Sequence, residues 1–394
     1  MEIRRAGFLC SSDPVAPLSM LLIEAYNDAV SEFKRKLRIT GMLACRSRCG
    51  SCLNRGSPVN ESPTLKHTEP TPPELPSLLR GIFIGDNGLR ARWSLSIFLV
   101  LFLALAFAFD IINHSLHLYE ESGLSNTAGV PAAKAYIESS AGFLAALFAT
   151  WVMSKIERRP ISIYGLGGRR KLRLFLTGLG CGVVCYLLLG LTLWSSGLMV
   201  FDGRLLFGGD ILRYGTIWLF GFLTGGLSYE YFFRGYLQYT LTRGLSGFCQ
   251  RALKTSHSAA QGFWIAAAIT SLLFALLSIL PGEPPIAFVS LGLFGMVACF
   301  SLWRTGSLWW IVGFHMAWDW TQSFLFGAAD SGERVQHRLL ATHPAGRPIF
   351  SGGTTGPECS IFIVPTLALV VLIILFCLPR GRYGEMLDRP TSRA

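Results

Sequence analysis

Charge is scarce in this sequence. Only 15% of its 394 residues are Asp, Glu, Lys or Arg, well below the ~25% of soluble domains, while 51% are hydrophobic. That balance excludes an ordinary soluble globular protein. A disulfide framework is also missing. The ten cysteines are scattered, and Cys181, Cys185, Cys299 and Cys377 fall inside apolar runs, where a thiol behaves as a small hydrophobe. No internal repeat is visible, which argues against a transporter assembled from paired halves with broken helices. The opening stretch MEIRRAGFLCSSDPVAP has no sustained apolar core, so no secretory signal is expected there. The net charge of +11 is no nucleic-acid signature, because the basic residues sit in loops between apolar segments.

What is abundant is long apolar runs. They lie at about 94–112, 136–153, 174–194, 212–233, 262–280, 286–303, 308–326 and 361–378, each close to the ~20 residues that a spanning helix needs. In hydrocarbon the backbone must satisfy its own hydrogen bonds, which leaves the helix as the natural unit. The expected fold is an all-α polytopic membrane protein of about eight transmembrane helices, with both termini cytoplasmic. The most basic connection (Lys155, Arg158, Arg159, Arg169, Arg170, Lys171, Arg173) and the connection carrying Arg243, Arg251 and Lys254 then fall on the same, cytoplasmic side, as the positive-inside rule requires. An integral, multi-pass protein of a bacterial cytoplasmic membrane is expected. Its partners would be the lipid bilayer and a peptide or membrane protein, and no nucleic acid.

Three regions follow: an N-terminal extension at 1–80, a membrane domain at 81–380 and a basic tail at 381–394. In the extension, Leu18–Leu43 could form an amphipathic helix with a basic patch at Lys34, Arg35, Lys36 and Arg38, followed by a linker rich in proline. Cys45, Cys49 and Cys52 show the C-x3-C-x2-C spacing of a radical-SAM iron–sulfur site. No series of βα units follows, and the spacing alone does not carry that assignment.

The chemistry concentrates in two places. Glu230 and Arg234 stand four residues apart in LFGFLTGGLSYEYFFRGYLQY, and His315 and Asp319 do the same in WWIVGFHMAWDW. Residues at i and i+4 share one helix face. An ionised side chain at the bilayer centre costs about 2.5–3.5 kcal/mol on insertion scales, so it needs a partner or a use. Taken singly, each pair could be purely structural: an ion pair near the interface, or a histidine satisfying a carbonyl. Two such pairs on two apolar helices point instead to one buried polar site.

At these residues the chain resembles the CAAX-protease and bacteriocin-processing family of intramembrane endopeptidases, also called the Abi or Rce1-type family. The family pattern has two glutamates, three residues and an arginine; then Phe-x-x-x-His; then His-x-x-x-Asn or Asp. The first motif here is Tyr229-Glu230-Tyr231-Phe232-Phe233-Arg234, followed by Gly235-Tyr236-Leu237. The second is Phe274-Ala275-Leu276-Leu277-Ser278, and the third His315-Met316-Ala317-Trp318-Asp319. The resemblance covers about residues 80–380. It implies peptide hydrolysis near the cytoplasmic face, with Glu230, Arg234, His315 and Asp319 as site residues and a divalent metal as a cofactor some members are argued to use; His315 is a candidate ligand, but with only His315 and Asp319 kept from the catalytic set no stable metal site is expected here.

Two positions depart from the pattern. Tyr229 stands where the family has its first glutamate, and Ser278 where it has a histidine. Peptide hydrolysis needs a base for water and donors for the oxyanion. A tyrosine, with a reference pKa near 10, is a poor base at pH 7, and a hydroxyl cannot shuttle protons as imidazole does. Glu230 is about 100° around the helix from Tyr229 and is expected to face elsewhere, as the partner of Arg234. With the span limits above, Ser278 falls near the outer end of its helix, away from Glu230. The expectation is an endopeptidase homologue with impaired turnover; the alternative is a non-catalytic peptide-binding or scaffold protein of the same fold.

Overall fold

The computed structural model describes residues 83–85, 88–116, 129–168, 170–253, 257–278, 285–379 and 383. The chain divides into two units, Met1–Pro72 and Pro73–Ala394, and the described residues all belong to the second. The expectations for Leu18–Leu43, for Cys45, Cys49 and Cys52, and for nearly all of the basic tail lie outside them.

Every apolar run becomes a helix. After a short hairpin of β1 (Ile84–Gly85) and β2 (Gly88–Leu89) come α1 (Ala91–Leu116), α2 (Ala132–Ile156), α3 (Lys171–Ser195), α4 (Gly209–Glu230) and α5 (Gln238–Leu253). These are followed by α6 (Ser258–Ser278), α7 (Pro285–Thr305), α8 (Trp309–Asp319) and α9 (Ile363–Cys377). Among the described residues α1, α2, α3, α6 and α7 are long and apolar enough to cross a membrane, and α9 is a shorter apolar helix. The protein is an all-α polytopic membrane protein. Its outer helix α1 displays Leu99, Val100, Leu103, Phe107, Ile111 and Ile112 outward, a surface suited to acyl chains rather than water.

The fourth apolar run does not stop near residue 233. α4 passes through a π-helical turn, Tyr231–Leu237, directly into α5, which ends at Leu253. The stretch after residue 240, read from sequence as the connection carrying Arg243, Arg251 and Lys254, is helical to Leu253 and packs on α6. Glu230 therefore sits inside a long continuous helix. Its neighbour Tyr231 stacks edge-on to Phe143, which puts the first polar pair level with the middle of α2.

Close approach of α3 and α8 sets the position of the second pair. A Cβ on Gly178 would stand 2.0 Å from the Trp310 carbonyl oxygen, and one on Gly313 2.2 Å from that of Phe175. Small residues at both crossings let the two backbones touch, the usual device in membranes where apolar burial alone gives no drive to associate. α8 also runs into a π-helical segment, Trp320–Leu325.

One end of the bundle carries the basic connection after α2. There Glu157 accepts hydrogen bonds from Arg243 at 3.1 and 3.3 Å and from the Tyr164 hydroxyl at 3.1 Å, tying that connection to α5. At the opposite end, the long polar stretch after α8 supplies β4 (Leu340–Pro344), which pairs antiparallel with β3 (Met199–Arg204) between α3 and α4. This two-stranded cap joins segments about 140 residues apart, and no alternation in either segment announced it.

Gly313→Val is expected to force α8 off α3 and abolish a monodisperse folded species in detergent. Gly180→Ala, on α3 where a Cβ meets nothing within 4 Å, should leave yield and thermal midpoint unchanged or raise the latter slightly. Equal behaviour of the two variants on size-exclusion chromatography would rule out this packing as a determinant of the fold.

Candidate active site

Glu230 and Arg234 lie on the inner face of the α4–π–α5 helix, and both side chains are shut off from the surface. Glu230 Oε1 accepts from Arg234 Nη1 at 3.3 Å. The same oxygen is 2.8 Å from His315 Nδ1. An ionised carboxylate can only accept, so Nδ1 carries the proton and Nε2 is left to face the other way. Nε2 stands 3.5 Å from Asp319 Oδ2. The two polar pairs, 85 residues apart in sequence, are thus one array: Arg234, Glu230, His315, Asp319. The sequence reading gave Glu230 one partner, Arg234; the fold adds His315. The Arg234 guanidinium also lies 4.5 Å from the centre of the Phe274 ring, a cation–π contact that strengthens when desolvated.

Two π-helical turns sit at this array. The first begins immediately after Glu230 and the second immediately after Asp319. A π-turn inserts a residue into the helical repeat and re-aims the side chains on either side of it, and such turns concentrate at functional sites. Sequence spacing of i and i+4 could not show them.

On the far side of His315 is a cavity of about 400 Å³. Tyr229, Ser278, His315 and Asp319 line it; Glu230 and Arg234 lie behind its wall. Ser278, the last residue of α6, therefore shares a cavity with His315, although the span limits read from sequence had kept it apart. Tyr229 is 49% exposed and is turned into the cavity. Its ring centre is 6.2 Å from that of His315, and Phe294 and Phe274 add rings at 5.1 and 6.5 Å. The imidazole is thus collared by aromatic surface, with a carboxyl group near each nitrogen.

The cavity wall includes carboxylates that sequence reasoning missed. Glu138 comes from the start of α2, and Asp330, Glu333 and Glu358 from the loop after α8. Glu358 is pinned: its Oε1 accepts from the Ser331 amide at 2.9 Å and its Oε2 from the Gln322 side chain. Burial pushes the Glu358 carboxyl well above the usual carboxylate range, and the nearby Asp330 charge pushes the same way. Burial likewise lifts Asp330 to about 6, with His315 opposing and Glu333 reinforcing the rise. These residues sit in a Gly- and Pro-rich stretch with no helical period, so only the fold brings them to the site. Because Val130, Ala135 and Glu138 mark the start of α2, and the basic connection follows its end, this wall lies at the end of the bundle opposite that connection.

A catalytic metal does not fit these donors. Among the described residues, no group of three His, Cys, Asp or Glu side chains is placed to hold an ion. Ser278 occupies the position where the family pattern has a second imidazole, and Nδ1 of His315 is engaged by Glu230.

Residues 211–321, which hold both motif pairs and Ser278, match the family model of type II CAAX prenyl endopeptidase Rce1-like proteins, and that match places this segment in the CAAX-protease family. Searches of curated proteins and of solved structures returned no match.

Two outcomes test the electrostatics. Arg234→Met should lower stability by about 3–5 kcal/mol, because Glu230 keeps its burial and loses a cation. The Glu230→Gln/Arg234→Met pair should recover part of that loss in thermal unfolding, and an unchanged midpoint in the single variant would remove the pair from the stability account. For Asp330, the folded-state carboxyl titrates above its ordinary value of 3.8, so its ionised form destabilises the fold at neutral pH. Asp330→Asn should therefore stabilise the protein at pH 7–8 by roughly 1–2 kcal/mol, since solvent reaching the half-buried group trims the full value. That advantage should shrink as the pH falls through about 6 and vanish below about 4; an advantage independent of pH would assign it to another cause.

Proposed function

We propose that the protein is an intramembrane endopeptidase homologue that draws a peptide, or an extended segment of a membrane-anchored protein, into this cavity and hydrolyses it with His315 as the base. The observation that carries the reading is the placement of His315. Its Nδ1–H is held at 2.8 Å by Glu230, and its ring lines the cavity. An imidazole fixed in one tautomer by a buried carboxylate is the arrangement that makes the other nitrogen a proton acceptor.

In this reading Nε2 takes a proton from water as the water oxygen attacks the scissile carbonyl. Asp319, 3.5 Å from Nε2, orients that water. The Tyr229 hydroxyl, too weakly acidic to act as base, is suited to donate a hydrogen bond to the developing oxyanion. The imidazolium then returns its proton to the leaving nitrogen as the C–N bond breaks, and the carboxylic acid and amine products separate. The role the family gives to a first glutamate and a second histidine is thus moved onto the Glu230–His315 pair. The presence of a phenol at position 229 and a hydroxyl at position 278 favours a second reading, in which the cavity binds a peptide without cutting it.

The side of access also changes. The sequence reading set cleavage near the cytoplasmic face. The cavity wall formed by Glu138, Asp330 and Glu333 is at the end remote from the basic connections, and the positive-inside bias supports assigning that end to the non-cytoplasmic side.

The test is cleavage of a diverse peptide library by purified protein in nanodiscs. Wild type should cut, and His315→Ala should lose 10²–10⁴-fold, the usual worth of a general base. Cleavage by Tyr229→Glu/Ser278→His alone, with wild type inert, would overturn the catalytic assignment in favour of the binding reading.

A further inference from the structure

The cavity is electrostatically one-sided. Its described lining carries the carboxylates of Glu138, Asp319, Asp330, Glu333 and Glu358 against a single imidazole, His315, with no Lys or Arg among them. Arg234 faces Glu230 behind the wall, and Arg338 donates to the Val335 carbonyl. Such crowding of carboxylates in a water-poor space disfavours their joint ionisation.

Nor is the crowding required by the fold. Asp330 is half-buried in a loop, and in its ionised form it costs stability. Glu358, by contrast, is held in place by hydrogen bonds from the Ser331 amide and the Gln322 side chain. A second, independent feature lies on the same wall. Ser290, on α7, lines the cavity, is 3% exposed and makes no hydrogen bond with its hydroxyl. A buried hydroxyl without a partner is costly, and the turn Pro357–Cys359, which carries Glu358, packs on the helix that bears Ser290 and lines the same cavity. A cationic side chain with several N–H donors would satisfy the hydroxyl and both carboxylates together.

A metal ion is a poorer occupant, since the described residues offer no three-ligand set. A lysine or arginine side chain suits the space better. Its apolar stem can lie along Leu291 and Phe294, and its head can reach the carboxylates.

We propose that the cavity selects peptides bearing a lysine or arginine side chain, which it receives between Asp330, Glu358 and Ser290. The proposal rests on the reading of the cavity as a peptide site but not on turnover. The cation holds one residue of the peptide at the loop end while the next stretch of backbone passes His315. The loop that caps the bundle is thereby a specificity element.

The experiment measures binding with the full chain in nanodiscs, on the His315→Ala background so that no probe is consumed. The probes are a fluorescent, end-capped heptapeptide of alanine and leucine with one central lysine, its norleucine twin, and a lysine-free twin with a free amino terminus. The lysine peptide is expected to bind at least tenfold more tightly than either twin. Asp330→Asn should erase most of that preference while raising the thermal midpoint, which separates lost recognition from lost folding. Ser290→Ala should weaken the lysine peptide alone. Equal affinity for lysine and norleucine, a preference untouched by Asp330→Asn, or no binding of any probe would overturn the proposal; tight binding of the free-amine twin would reassign the site to a peptide amino terminus. Cleavage of the library without any preference for cationic residues would sink this inference and leave the peptidase reading standing. A lysine preference in a protein that cuts nothing would do the reverse.

Discussion

A carboxylate that cannot reach water governs this structure. Glu230 is wholly buried within an apolar bundle, and an ion in that position must be compensated from nearby or lose its charge. Arg234 supplies a positive charge one helical turn away, and His315 supplies an N–H from another helix. Arg234 in turn rests on Phe274 of α6, and Gly295 of α7 leaves it room, since a Cβ there would stand 3.0 Å from Nη2. Four helices therefore meet at one buried charge. Their relative placement is the condition for its presence, because the cost of a misplaced partner is that of an unpaired ion.

Backbone irregularity coincides with the site. The regular turn of α4 already points Tyr229 toward the cavity and Glu230 into the core. π-helical turns follow directly after Glu230 and after Asp319, and the aromatic residues of the first pack on α1 and α2. The glycine contacts between α3 and α8 hold the second helix near enough for the 2.8 Å hydrogen bond. Scaffold packing and site geometry are consequently hard to separate here: moving α8 by one ångström would open the contact on which the orientation of His315 depends.

Charge is also unevenly placed around the cavity. Arginines and lysines gather at the end that follows α2, where Glu157 and Arg243 knit the connections together. Carboxylates gather at the other end and along the cavity wall. In the proposed reading these carboxylates give the cavity a means of sorting ligands by charge that a purely apolar entrance would lack.

Sequence alone determined the class of the molecule and the identity of its central residues. Scarce charge, long apolar runs and basic connections define a helical membrane protein, because hydrocarbon leaves the backbone so few options. Glu230, Arg234, His315 and Asp319 were legible because an ionisable group in an apolar run is conspicuous, and because their i, i+4 spacing is a local property of one helix. What remained hidden was everything that depends on separate segments meeting. The contact of Glu230 with His315 spans 85 residues. Ser278 enters the cavity only because of how α6 packs. Asp330 and Glu358 lie in a loop without periodicity, and β3 finds β4 across the whole membrane domain. Period and composition report on what one stretch of chain can do by itself. Which stretches become neighbours is decided by helix packing at glycine contacts, by the pairing of buried charge and by strand hydrogen bonds, and these exist only in the tertiary structure.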